Sequence, residues 1–309
     1  MTQARDGSGN GEHAAAASPD RRYLAIALGI ILCYMAAEVV IAFFAHSLAL
    51  LADAGHMLTD AGALAGAMWA MRLASRPSSA TMSFGLKRAE ILSAAANGVT
   101  LVAVGLLLLV EAIQRLVEPS VVQGGLMMIV AGVGVVANLT ATFVLAKGNR
   151  RSLNVEGAFQ HILTDLYGIG ATAVAGLVIL LSGWNRADPI AALAVVVLVF
   201  RAGWGLLRAS GRILLEGTPE SVDLDEVRRH IHELPEVVAV HDLHAWTLTS
   251  DLPALTAHVV VTDACLRDGS AATVLDRLQL CLTDHFDVEH STFQLEAARH
   301  GEHEPGTHD

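Results

Sequence analysis

From Tyr23 to about Arg212 the chain is a succession of long apolar runs broken by short polar punctuation. That pattern leaves very few folds open. Backbone that crosses hydrocarbon must satisfy its own N–H and C=O groups, and a helix needs about 20 mostly apolar residues to do so. Six segments have the length: Tyr23–Ala45, Leu48–Met71, Ala89–Val110, Val122–Lys147, Val155–Leu181 and Pro189–Leu207. The breaks between them include Arg76-Pro77-Ser78-Ser79, Glu118-Pro119, Lys147-Gly148-Asn149-Arg150-Arg151 and Asp188-Pro189. Glu156, His161 and Asp165 interrupt the fifth segment, but its apolar continuation from Ile169 to Leu181 favours a span over a surface loop. With 53% hydrophobic residues over 309, the chain is too apolar for an ordinary soluble domain. The expected fold is an α-helical membrane domain of six transmembrane helices over residues 21–213.

Basic residues orient such a bundle, because cytoplasmic loops carry an excess of Lys and Arg. Arg21 and Arg22 precede the first run, and Arg72, Arg76, Lys87 and Arg88 lie between the second and third. Lys147, Arg150 and Arg151 separate the fourth from the fifth, and Arg208 and Arg212 end the sixth. The alternate loops hold only Arg115 and Arg186. Both termini are therefore expected in the cytoplasm. Residues 1–20 are polar, lack the charged-then-apolar pattern of a signal peptide, and are expected to form a disordered leader.

The character of the chain changes after Arg212. Residues 217–309 carry eighteen Asp and Glu against five Arg, so this part supplies the formal charge of -11. An acidic surface argues against nucleic acid as a partner and suits a cationic ligand. Alternation and helical periodicity predict a helix over Val222–Leu234, strands over Val237–Leu248 and Ala254–Thr262, a helix over Ala271–Phe286 and a strand over Val288–Glu296. This order suggests a small cytoplasmic α+β domain over 217–296, with its helices on one sheet face, followed by a disordered His-containing tail over 297–309. Cys33, Cys265 and Cys281 have no CxxC spacing, which excludes a thiolate zinc site and a disulfide framework.

The chemistry is carried by residues that do not belong in a bilayer. An ionisable group in a span raises the insertion free energy by about 2.5–3.5 kcal/mol, so such groups mark pathways or sites. The second run carries Asp53, His56 and Asp60, and the fifth carries His161 and Asp165. The spacing His-x-x-x-Asp occurs in both, which puts each pair on one helix face a turn apart. Two imidazoles and two carboxylates form a tetrahedral set suited to Zn²⁺, and two carboxylates neutralise a dication. Either pair alone is equally well read as a helix–helix hydrogen bond. The repetition favours a metal site.

The sequence resembles the cation diffusion facilitator family of zinc transporters. The resemblance runs from Arg21 to about Glu296 and rests on SLALLADAGHMLTD (Ser47–Asp60), FGLKRAEIL (Phe84–Leu92), HILTD (His161–Asp165) and VHDLHAWTLTS (Val240–Ser250). It implies that His56, Asp60, His161 and Asp165 form the transport site, and that Arg88 and Glu216 form a charge interlock in a homodimer. It also implies a metallochaperone-like C-terminal domain with a regulatory metal site. There His241 and His258 match two ligand positions, and Gln294 and Glu296 stand where some relatives have His and Asp. Gln is a poor zinc ligand, which sets a regulatory site against a purely structural dimer module. His244 is expected on the strand face opposite His241.

The function implied is zinc efflux from the cytoplasm in exchange for protons, by alternating access, with Cd²⁺ or Co²⁺ as further cargo and no organic cofactor. The short loop between the fourth and fifth runs, and eighteen Arg against two Lys, suggest a bacterial inner membrane. Two alternatives use the same ligands, a membrane metalloenzyme and a non-transporting metal sensor. The first lacks HExxH and an evident general base, and the second rests only on the charged C-terminal part.

Overall fold

A computed structural model describes residues 22–37, 39–40, 48–118, 124–148, 152–250, 252–288 and 290–300, without the side chains of 48–56, 59, 124–131, 154 and 172. The leader, the end of the first apolar run and the terminal His303 and His308 lie outside the described residues. The chain divides into two compact units, Met1–Ser210 and Gly211–Asp309.

Each apolar run contains a helix: α1 (Arg22–Ala37), α2 (Leu48–Ala74), α3 (Ala89–Val117), α4 (Gly124–Leu145), α5 (Leu153–Ser182) and α6 (Ala187–Leu214). Among the described residues, α3, α6 and the stretch Val155–Ser182 of α5 are long and apolar enough to cross a membrane. The helix α3 runs on past its apolar segment because its polar end is locally supported. Arg115 donates to Glu111 one turn earlier at 2.5 Å, and its guanidinium lies 3.5 Å from Asp188. The end of α5 is set by Gly183, whose φ of 70° is the left-handed conformation that closes a helix, with its N–H on the Ile179 carbonyl.

Packing within this unit follows residue size. Side chains of α1, α2, α4 and α5, among them Leu24, Leu64, Leu145 and Ile162, form one buried cluster. Ala94 and Leu101 of α3 meet Val195, Val199 and Leu206 of α6 in another. In the latter the backbones approach closely. A Cβ placed on Gly203 would stand 2.9 Å from the Val102 side chain and 3.1 Å from the Gly98 carbonyl. Small residues at helix contacts allow this approach in lipid, where no hydrophobic force drives helices together. Gly203→Val is therefore expected to destabilise the bundle by about 1–3 kcal/mol through overpacking, read as a lowered thermal midpoint of the purified protein. An unchanged midpoint would show that α6 can shift without loss.

The second unit comprises α7 (Leu224–His232), β1 (Val237–Thr249), β2 (Leu252–Val261), α8 (Asp263–Asp268), α9 (Ala271–Phe286) and β3 (His290–Ala297). The sheet order is β1-β2-β3, with β1 antiparallel and β3 parallel to β2. Asp223 caps α7 by accepting from the N–H groups of Asp225 and Glu226. The helix α9 has the expected bounds, whereas α8 was not expected. It is too short to show a period, and it exists because Thr262 caps its start and Gly269, at φ 84°, ends it. Val227 and Ile231 of α7, Leu278 and Leu282 of α9, and Leu255, Ala257 and Val259 of β2 fill one core, so these helices cover one sheet face.

Candidate metal centre

Asp60 on α2 and His161 on α5 are charged or chargeable groups buried among apolar helices, with exposures of 4% and 3%. His161 Nε2 and Asp60 Oδ1 share a hydrogen bond of 2.5 Å across 101 residues of sequence. Asp165, one turn further along α5, joins them. One ligand atom from each of Asp60, His161 and Asp165 lies within 4.8 Å of the other two. Ligand atoms on one tetrahedral ion stand roughly 3.3 Å apart, so these donors need only a small contraction to hold a cation. His56 lies one turn before Asp60 on α2, and its side chain, like that of Asp53, is outside the described residues. Three of the expected donors are thus brought together.

Beside this cluster is a cavity with room for about one water molecule. Ala63, Leu64 and Ala67 of α2, Ser93, Ala94 and Asn97 of α3, and Gly157, Ala158 and His161 of α5 line it. The Asn97 Oδ1 atom is buried and has no hydrogen-bond partner among the described residues. Sequence reading by ionisable groups passed over this residue. An uncharged amide in an otherwise apolar run was the available signal. A Cβ on Gly157 would stand 3.2 Å from Asn97 Nδ2, so a glycine there leaves space for the amide. Nearby, the Ser152 hydroxyl donates to Glu90 Oε1 at 2.5 Å, which ties the start of α5 to the FGLKRAEIL segment. Arg88 is the residue immediately before α3, and Glu216 follows α6 in the second unit with φ 59°.

The second unit gathers the other expected donors on the sheet face away from its helices. His241 pairs with His258 in the β1–β2 register, and His258 pairs with Gln294 in the β2–β3 register, so the three form one row across the sheet. Glu296, two residues along β3, is buried and hydrogen-bonds His241 Nε2. Its other oxygen accepts from Gln294 Nε2 at 3.3 Å and lies 3.9 Å from His258 Nδ1 and 3.8 Å from His300 Nε2. Gln294 therefore orients the carboxylate as a donor. His241, Asp242 and His258 form a further group with ligand atoms within 4.8 Å of one another.

The expectation that His244 faces away from His241 is corrected. The strand carries a bulge between these residues, Asp242 adopts φ 45°, and Val240, Leu243 and Ala245 all face the core. The extra residue resets the alternation, since a bulge places two residues opposite one. His241 Nδ1 and His244 Nε2 each lie 3.8 Å from the Asp242 carboxylate. Simple period-two counting could not reveal Asp242 as a donor.

An apolar helical unit with a buried His/Asp cluster, joined to a small sheet domain with its own cluster of His and acidic side chains, defines an integral membrane protein built to handle cations. Residues 24–215 match the family model described as the cation efflux transmembrane domain, and residues 219–298 match that of the cation efflux protein cytoplasmic domain. The chain belongs to the cation efflux family. It is 41% identical to "Zinc transporter ZitB" of Escherichia coli K12 over 277 residues, covering 89% of this chain and 87% of the relative. It is 36% identical to "Cadmium, cobalt and zinc/H(+)-K(+) antiporter" of Bacillus subtilis over 283 residues, 91% and 90% of the two chains. Against "Metal cation efflux system protein CzcD" of Cupriavidus metallidurans the identity is 40% over 279 residues, 90% and 87% of the two.

Proposed function

We infer that this chain is a secondary active transporter that exports zinc from the cytoplasm in exchange for protons. His56, Asp60, His161 and Asp165 form its intramembrane site. The observation that carries the reading is the meeting of Asp60, from one apolar helix, with His161 and Asp165 from another. One relative is named as a zinc transporter and another as a cadmium, cobalt and zinc/H(+)-K(+) antiporter, which supports both the cargo and the coupling. A metalloenzyme or a non-transporting sensor is not favoured, because the family and these relatives are cation transporters.

The transporter has six transmembrane helices, α1–α6, and lies in a bacterial inner membrane with both termini in the cytoplasm, as the Lys and Arg distribution supports. It works as a homodimer. Arg88 and Glu216 carry its charge interlock on the strength of the family resemblance, and the His241, His258, Gln294 and Glu296 row binds regulatory zinc. Metal uptake by inverted vesicles, measured with Zn²⁺, Cd²⁺, Co²⁺ and Mn²⁺, tests the proposal. Absence of zinc uptake at confirmed expression would reject it.

The same assay tests ligand choice. His56→Asp replaces nitrogen by oxygen and adds a negative charge, which suits larger or harder cations. The expected result is stronger competition by Mn²⁺ and Cd²⁺ against zinc uptake than in the wild type. An unchanged preference would place selectivity in site geometry instead.

A further inference from the structure

The helix side of the second unit carries a separate pair of histidines. His230 lies in the last turn of α7 and His285 in the last turn of α9. Their ring centroids are 5.1 Å apart, with planes inclined by 42°. His230 Nδ1 lies 2.9 Å from the Glu226 carbonyl, and His285 Nδ1 lies 3.1 Å from the Cys281 carbonyl. A carbonyl can only accept, so Nδ1 carries the proton in each neutral ring and Nε2 holds the lone pair. Phe286 packs edge-on against His230 at 5.3 Å and limits its rotation.

These features match the demands of a metal ligand pair. Metal-binding histidines commonly donate their second ring N–H to a backbone carbonyl, which fixes tautomer and orientation. Two imidazoles on one tetrahedral ion, with metal–nitrogen distances of about 2.0–2.1 Å, hold their centroids roughly 5 Å apart. Burial, then the charges of Glu233 and Asp284, push the Cys281 thiol up, so Cys281 remains a neutral thiol, and Glu233 itself pairs with Arg229 at 3.0 Å. Two helix-end histidines that merely satisfy their own carbonyls need no mutual approach.

We propose that His230 and His285 form a binding site for a divalent transition cation, bridging α7 and α9 through their Nε2 atoms with water or a carboxylate completing the shell. The donor set favours Zn²⁺, Co²⁺, Ni²⁺ or Cu²⁺ over Mg²⁺ and Ca²⁺. It lies on the opposite side of the domain from the His241–His258 row, since Ala257 and Val259, which flank His258, face the helices. The site does not depend on the transport reading.

The test is the Co²⁺ stoichiometry of the purified full-length protein, followed by visible absorption, in wild type, His230→Gln, His285→Gln and the double variant. Each single variant is expected to lose one Co²⁺ per chain, the double variant the same one, and Mg²⁺ is expected not to compete. His241→Gln/His258→Gln serves as a control that retains this ion. Zinc is further expected to raise the thermal midpoint less in the His230→Gln and His285→Gln variants than in the wild type. An undiminished count in either single variant, or loss of two ions in the double, overturns the proposal. Vesicle zinc uptake measured in parallel keeps that result separate from any failure of the transport function.

Discussion

Zinc uptake by inverted vesicles is expected to disappear in Asp165→Ala and in Asp60→Ala, with both variants reaching the membrane at wild-type levels. In the proposed site each carboxylate supplies a ligand and half of the charge that neutralises the dication, so its loss removes coordination and leaves a net positive complex in hydrocarbon. The fall should exceed the ~10–100-fold that loss of an outer-shell partner brings. The Asp60 variant has a second consequence, because His161 loses the 2.5 Å hydrogen bond that now fixes its ring. Asp165→Ala leaves that bond in place and is the cleaner test of ligand loss. Wild-type uptake in either variant would remove that residue from the site.

A zinc gradient imposed on proteoliposomes without a pH gradient is expected to drive protons in the opposite direction. The argument is one of charge in a low-dielectric path. With Zn²⁺ bound, two carboxylates and two neutral imidazoles sum to zero. An emptied site with bare carboxylates would carry two negative charges through the same barrier, which is strongly unfavourable. Two protons restore neutrality. Ligands must be deprotonated to bind metal, so protons and zinc compete for one set of atoms, as exchange requires. A pH-sensitive dye inside the vesicles reads the movement, and Asp165→Ala should abolish it. Zinc flux without proton movement would leave a uniporter and defeat the coupling.

Much of this was legible in the sequence, because the signals are local. Apolar run length marked six helical segments, and the repeated His-x-x-x-Asp spacing marked the candidate site, since helix geometry alone puts positions four apart on one face. The capping and termination residues that set helix ends acted at their own positions, as Gly183 does for α5. Other features had no local signal. The hydrogen bond between Asp60 and His161 joins residues 101 apart, and only helix packing brings them together. The close approach of Gly203 to Gly98 also depends on how α3 and α6 meet.

The sheet shows the same division. Alternation in β1 and β2 predicted strands, yet the bulge at Asp242 turned His244 to the face of His241, against simple counting. A bulge is set by cross-strand hydrogen bonding and by the need of Val240, Leu243 and Ala245 to reach one core. The pairing of His230 with His285 likewise arises because α7 and α9 bury Ile231 and Leu282 in one core, which carries their last turns together. The sequence by itself determined which segments are helix or strand and which residues could ligate a cation, because periodicity and side-chain chemistry are properties of neighbouring residues. Tertiary structure alone decided which of those residues meet, because contacts between distant elements depend on packing and strand register across the whole unit.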